Sequence, residues 1–149
     1  MTWIVVAAFV AMEGVSYLAH RFVMHGPGMG LHRSHHRRSG AGSRFEANDA
    51  FPMMFAAVTI LAMTAGVTLP SLDVLFTVGV GVTLYGASYA FVHDVYIHRR
   101  LGSWVPEVGA LEWLKSSHEI HHLFGGEPYG MLFPVVPRRL RVRAEAARR

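Results

Sequence analysis

The chain has 149 residues, 52% of them hydrophobic and only 16% charged, with a net charge of +4 and a mean hydropathy of +0.29. That balance is too apolar for an ordinary soluble domain of one-domain length. With no cysteine at all, disulfides, thiolate zinc sites and iron–sulfur clusters are excluded, and imidazole and carboxylate remain as metal-binding chemistry.

In chain order, residues 2–20 form an apolar run with one acid, Glu13, close to the roughly 20 residues a membrane span needs. A signal peptide would carry a basic start, and His20 stands where its cleavage site would fall, so a retained span is the better reading. Glu13 lies seven residues before His20, about 20° away around a helix, with Ser16 and Tyr17 between them on the same side. A carboxylate inside a span is costly and faces a bundle interior or a polar site. Glu13 and Tyr17 are therefore candidates to support the histidines or to deliver protons.

The stretch His20 to His36 follows, and the chain is organised around it. It reads His20-x4-His25, then His32-x2-His35-His36. The pattern returns as His93-x4-His98 and His118-x2-His121-His122, and no histidine lies outside these clusters. Imidazole is the commonest neutral metal ligand near pH 7. Positions i, i+3 and i+4 share a helix face, so each HxxHH can present at least two imidazoles to one ion. Adjacent histidines point about 100° apart and can serve two different ions. The i, i+5 pairs do not share a face on an ideal helix; they need a bent or ending one, and Gly26-Pro27-Gly28 supplies an end. Ten imidazoles are too many for one ion. Two octahedral ions with five each would leave about one open position apiece.

A basic, glycine-rich loop spans 37–44, and Phe45-Glu46-Ala47-Asn48-Asp49 reads as a turn and cap before the second span at 51–69. Pro70-Ser71-Leu72-Asp73 is a tight turn, and the third span, 74–92, ends directly in His93-Asp94. Asp94 is placed to hold an imidazole N–H. Five Lys and Arg lie between Arg21 and Arg44, the other nine from Arg99 onward, and none elsewhere. Three spans put both basic stretches, and all ten histidines, on one side. The positive-inside rule makes that side cytoplasmic and leaves the N-terminus outside. The basicity thus orients the chain and does not call for nucleic acid.

Ser103-Trp104-Val105-Pro106-Glu107 predicts an interfacial turn into a short amphipathic helix carrying His118, His121 and His122. Gly125-Gly126-Glu127-Pro128-Tyr129-Gly130 ends it, and 138–149 reads as a basic, frayed tail. The expected fold is an all-α integral membrane protein, one domain over 1–149. It has three transmembrane helices plus cytoplasmic or interfacial helices that carry a histidine-rich dinuclear site.

The spacing HxxxxH, HxxHH, HxxxxH, HxxHH resembles that of the non-haem β-carotene 3-hydroxylases, within the wider membrane fatty-acid and sterol hydroxylase superfamily. The likeness extends through Ala11-Met12-Glu13, residues 20–26 and 31–36, Phe45-Glu46-x-Asn48-Asp49, Phe91-Val92-His93-Asp94, His98 and Gly126-Glu127-Pro128-Tyr129-Gly130. The Phe-Glu-x-Asn-Asp and Phe-Val-His-Asp segments narrow it to the carotenoid branch, and no ligand of the family's pattern is missing. The resemblance implies a di-iron centre as the catalytic group, with His20, His25, His32, His35, His36, His93, His98, His118, His121 and His122 as ligands. It implies O2 as oxidant and an external electron donor, a ferredoxin. The implied reaction is hydroxylation of β-ionone rings at C3, from β-carotene through β-cryptoxanthin to zeaxanthin. A long polyene would enter from lipid, and Gly79, Thr83, Gly86 and Ala90 form a stripe on the face of the third span that leads to His93. The stripe is either a groove for the polyene or a packing seam.

Three other readings are open. A related hydroxylase or desaturase of fatty acyl or sterol substrates shares the histidine pattern. His118-Glu119-Ile120-His121-His122 also fits H-E-x-x-H, the pattern of zinc proteases, but leaves most histidines idle. A metal-binding or transport protein would line its spans with ligands, and these spans contain only Glu13.

Overall fold

A computed structural model describes residues 1–37, 45–102 and 104–147. Residues 38–44 of the predicted basic loop, Ser103 of the interfacial turn and the last two residues of the tail lie outside the described residues. The described chain is all helical: α1 (Thr2–Leu18), α2 (Met29–His36), α3 (Ala50–Thr68), α4 (Val74–Ala90), α5 (Gly109–Phe124) and α6 (Arg138–Ala147).

Three helices are long and apolar enough to cross a membrane: Thr2–Met24, Ala47–Thr68 and Val74–Ile97. Each extends past its predicted bound at the histidine end. α1 winds on into a π-helical turn, Ala19–Met24, and α4 into another, Phe91–Ile97, while a 3-10 turn, Ala47–Asp49, leads into α3. Apolar side chains such as Val6, Val10, Val58, Leu61 and Leu84 stand exposed along these helices. This is the surface an integral membrane protein turns to lipid.

α4 is the central helix, with α1 on one side and α3 on the other. Small residues let the backbones approach. A Cβ at Gly81 would sit 2.5 Å from the Val5 carbonyl oxygen of α1, and one at Gly66 would sit 2.5 Å from the Phe76 amide nitrogen of α4. Gly79 is buried against the Met63 side chain, which the Thr83 hydroxyl also approaches at 3.9 Å. At Gly86 nothing lies within 4 Å of a Cβ position, and Ala90 is exposed. The predicted stripe therefore divides into a seam with α3 and an open part nearer His93.

α5 is pinned to the end of α4 by Tyr96, whose hydroxyl donates to Glu112 at 2.7 Å and accepts the Val108 N–H at 3.1 Å. Trp104 and Trp113 are exposed, as an interfacial position needs. The expectation of a frayed tail requires correction. Residues 138–147 form α6, because Leu140 and Ala144, four apart on one face, bury against Ile120 and Val136. Arg143 lies 4.5 Å over the Phe124 ring and closes the same contact.

Candidate metal centre

The two HxxxxH pairs owe their geometry to the π-helical turns. His25 N–H donates to His20 C=O at 3.0 Å and His98 N–H to His93 C=O at 2.9 Å, each spanning five residues. That bonding widens the turn and brings positions i and i+5 onto one face. A helix end alone would not do this. The HxxHH pairs sit on α2 and α5, where ordinary helical spacing serves.

The ten imidazoles gather into two groups. In the first, His20, His25, His32, His36 and His121 turn their Nε2 atoms inward. His25, His32, His36 and His121 close a ring of contacts at 3.0–3.2 Å, and His20 joins it through His32 at 3.2 Å. The second holds His35, His93, His98 and His118. His122 adjoins it, with Nε2 3.1 Å from that of His35 and 2.9 Å from that of His118. The His36 and His122 rings stack between the groups at 4.5 Å.

The duplicated sequence is not copied as two separate halves. In each HxxHH the first and last histidines stay with their own pair, and the middle one crosses over: His35 joins His93 and His98, and His121 joins His20 and His25.

Several rings are held in one tautomer from behind. The Nδ1–H of His20 donates to the Tyr129 carbonyl at 3.0 Å, and that of His121 to the Gly126 carbonyl at 2.6 Å. That of His32 donates to Asn48 Oδ1 at 2.7 Å. In the second group, His35 Nδ1 lies 3.1 Å from Glu46 Oε2 and His93 Nδ1 3.0 Å from Asp94 Oδ1. With the proton on Nδ1, each Nε2 presents a lone pair. Burial, ahead of the neighbouring imidazoles, lowers the pKa of His25 and His36 to about 4, of His98 to about 3 and of His122 to about 2. It takes His35, His118 and His121 well down too. These rings are neutral at pH 7.

Lone pairs facing one another at such distances repel unless a cation stands between them. With a zinc–imidazole bond length of about 2.1 Å as guide, two nitrogens on one ion lie about 3.0 Å apart at right angles and about 3.4 Å apart at the tetrahedral angle. The second group's contacts, 2.9–3.1 Å, fall at the first value, and most of the first group's, at 3.2 Å, fall midway between the two. The donor set fits two ions of high coordination number, all-nitrogen and without thiolate, and so suits a dinuclear metal site.

The other predicted residues stand one layer out. Glu13 accepts the backbone N–H groups of Met131, Leu132 and Phe133 at 2.9, 3.2 and 3.0 Å and the Tyr85 hydroxyl at 2.7 Å. It anchors the loop whose Tyr129 carbonyl receives His20. Tyr17 donates to Glu127 at 2.9 Å and accepts from Arg21, again holding that loop. Of Glu13, Tyr17 and Asp94, it is Asp94 that meets a histidine directly. Glu46 is a cap residue, as expected, in a capping box with Asp49, and it also receives His35. Asn48 and the Tyr129 and Gly126 carbonyls were not singled out from sequence as partners of histidines. Two polar residues, Glu46 and Asn48, crowded just before an apolar span were the available signal. Glu119 of the H-E-x-x-H match is exposed, and its two histidines, His118 and His122, share their site with His35.

The model of the family described as fatty acid hydroxylase matches residues 5–140. The chain belongs to that family. It is an oxidoreductase of the membrane hydroxylase type, and its two histidine groups are suited to a dinuclear metal site. Among curated relatives, the "Beta-carotene hydroxylase" of Pantoea ananas is 40% identical over 126 residues, covering 83% of this chain and 69% of that one. The protein of the same name from Pseudescherichia vulneris is 39% identical over 125 residues, covering 83% and 68%. The chloroplastic "Beta-carotene 3-hydroxylase" of Haematococcus lacustris is 37% identical over 138 residues, which is 86% of this chain and 41% of that longer protein. No solved structure matches the chain.

Proposed function

We propose that the chain, acting as one domain, hydroxylates β-ionone rings at C3, converting β-carotene to β-cryptoxanthin and then zeaxanthin. Two iron ions would be held by the five imidazoles of the first group and by His35, His93, His98, His118 and His122. The observation that carries this reading is the pair of inward-facing imidazole groups at the end of three membrane-length helices, in a chain whose relatives bear that activity in their names.

The reaction consumes one O2, two electrons and two protons for each C–OH formed and releases one water. The iron pair, when bound, supplies the oxidising power to remove hydrogen from an unactivated carbon, which no side-chain acid or base has. The chain's residues do the rest. The acceptors behind the Nδ1 atoms orient the rings, and their burial keeps water from the site. The electrons come from a soluble donor of the ferredoxin class on the side of the histidines. The distribution of Lys and Arg supports a cytoplasmic face for that side and an outside N-terminus.

The substrate is about as long as the hydrocarbon core is thick, roughly 30 Å, so it enters from lipid. Of the stripe on α4, Gly79 and Thr83 serve the α3 seam, and the open face at Gly86 and Ala90 is the part proposed to lead the ring toward His93.

Expression in a β-carotene-accumulating host tests the reading. Zeaxanthin and β-cryptoxanthin should appear and should vanish in a His121→Ala variant. Unchanged β-carotene, with the protein present in membranes and loaded with iron, would overturn it. The description of the matching family favours a fatty acyl substrate as the second reading. Hydroxylated acyl chains in the same cells would reveal it.

A further inference from the structure

Two histidines of the second group, borne by different helices, lean on carboxylates, and one guanidinium reaches the first support directly and the second through Asp49. His93 meets Asp94, and His35 meets Glu46. Arg100 donates from Nη1 to Asp94 Oδ1 at 3.0 Å. It also grips Asp49 with both nitrogens, Nη1 to Oδ1 at 2.8 Å and Nη2 to Oδ2 at 2.6 Å. Asp49 in turn accepts the Glu46 backbone N–H at 2.9 Å, which fixes the residue that receives His35.

The placement of Arg100 is built into the backbone. Its N–H donates to the Asp94 carbonyl at 2.9 Å. Arg99 before it has φ 52°, in the left-handed region that few non-glycine residues occupy. The Arg100 side chain is only 13% exposed, so solvent screens these contacts little. Glu46, Asp49 and Asp94 form one acidic patch, and Arg100 pairs with two of its three carboxylates.

The first group is supported differently. The acceptors behind His20, His32 and His121 are the Tyr129 carbonyl, the Asn48 amide oxygen and the Gly126 carbonyl, all neutral. An imidazole backed by a carboxylate is more basic, and a stronger donor to a metal, than one backed by an amide.

We propose that Arg100 is a positioning residue chiefly for the second group, acting through Asp94 and through the Asp49–Glu46 cap, and that it makes the two metal positions unequal in affinity. The proposal rests on the two-metal reading above but not on the substrate.

Cobalt(II) alone, titrated anaerobically into the purified, metal-stripped full chain in detergent, reports each ion by its visible absorption. The wild-type chain should bind in two steps, the tighter one belonging to the second group. Arg100→Gln should weaken the tighter step by about 10-fold or more, the scale of losing an outer partner of a ligand, and leave the other step within about 2-fold. Arg100→Lys, which keeps the charge but not the planar fork, should fall between. Asn48→Ala should do the opposite, weakening only the other step.

Both steps unchanged in Arg100→Gln, or both weakened alike, would overturn the proposal. If Arg100→Gln cannot be extracted folded, Arg100→Lys and Asp94→Asn read the same step with the same two outcomes. A wild-type chain that binds two ions in unequal steps yet leaves carotenoids untouched would refute the substrate and leave this inference standing.

Discussion

The two histidine groups share one ligand pattern, HxxxxH with HxxHH, and differ in what stands behind the rings. The first is held by a loop: Tyr129 and Gly126 offer backbone carbonyls, and Glu13 and Tyr17 of α1 tie that loop down. The second is held by an ion-paired patch of Glu46, Asp49, Asp94 and Arg100 around the start of α3 and the end of α4. Duplicating a ligand pattern therefore does not duplicate a site. The ligands set which ions can bind, and their supports set how the two differ.

The crossing of His35 and His121 makes each group depend on the other half of the chain, and breaking it should have the largest effect. His35→Ala should empty the second group and His121→Ala the first. Each should abolish hydroxylation, beyond the ~10–100-fold typical of losing an outer partner. Metal analysis beside pigment analysis checks this, and full activity in either variant would dissolve the comparison.

Next in size is the anchor of the loop-held group. Glu13→Gln keeps the shape but turns an amide N–H toward backbone donors, at a cost of about 1–3 kcal/mol. The thermal midpoint in detergent should fall, and metal should be lost first from the group containing His20. An unchanged midpoint would mean the loop is held by other contacts.

Acid offers a gentler lever on both groups. Burial lowers the folded-state pKa of His25 and His36 to about 4 and of His98 to about 3, against about 6.5 for an unfolded chain. The unfolded chain then binds more protons between these values, so stability is fully present above about pH 6.5 and is lost as pH falls toward 4 and below. The metal-free protein should show a thermal midpoint that declines steadily from about pH 7 to about pH 4.5. A flat profile would contradict the burial of these rings.

The smallest structural effect is expected at Gly86, where an added side chain meets nothing within 4 Å of its Cβ. Gly86→Leu should leave expression and both metals unchanged while lowering hydroxylation of a full-length carotenoid. Joint loss of metal and expression would mark the whole stripe as packing.

Much of this was legible in the sequence, because spans and ligands leave periodic signals. The three apolar runs, the ten histidines and the 100° divergence of His35 from His36 all follow from counting. Which adjacent histidine crosses to which group does not, since that depends on how α2 and α5 face each other. The i, i+5 pairs signalled a departure from ideal helix. The π-helical form it takes is set by backbone bonding that spacing alone leaves open. Helix phase put Glu13 toward His20, but its partners, the amides at 131–133, lie more than a hundred residues on. The Leu140–Ala144 spacing that makes α6 a helix was present, hidden by the arginines around it.

The central claim is that one chain holds two metal ions between these groups. The most direct test is the ratio of iron to protein in the purified chain after anaerobic loading and removal of loosely bound metal. Two irons per chain in the wild type and one in each of His35→Ala and His121→Ala is the predicted result. A single iron in the wild type, with either variant unaffected, would contradict it.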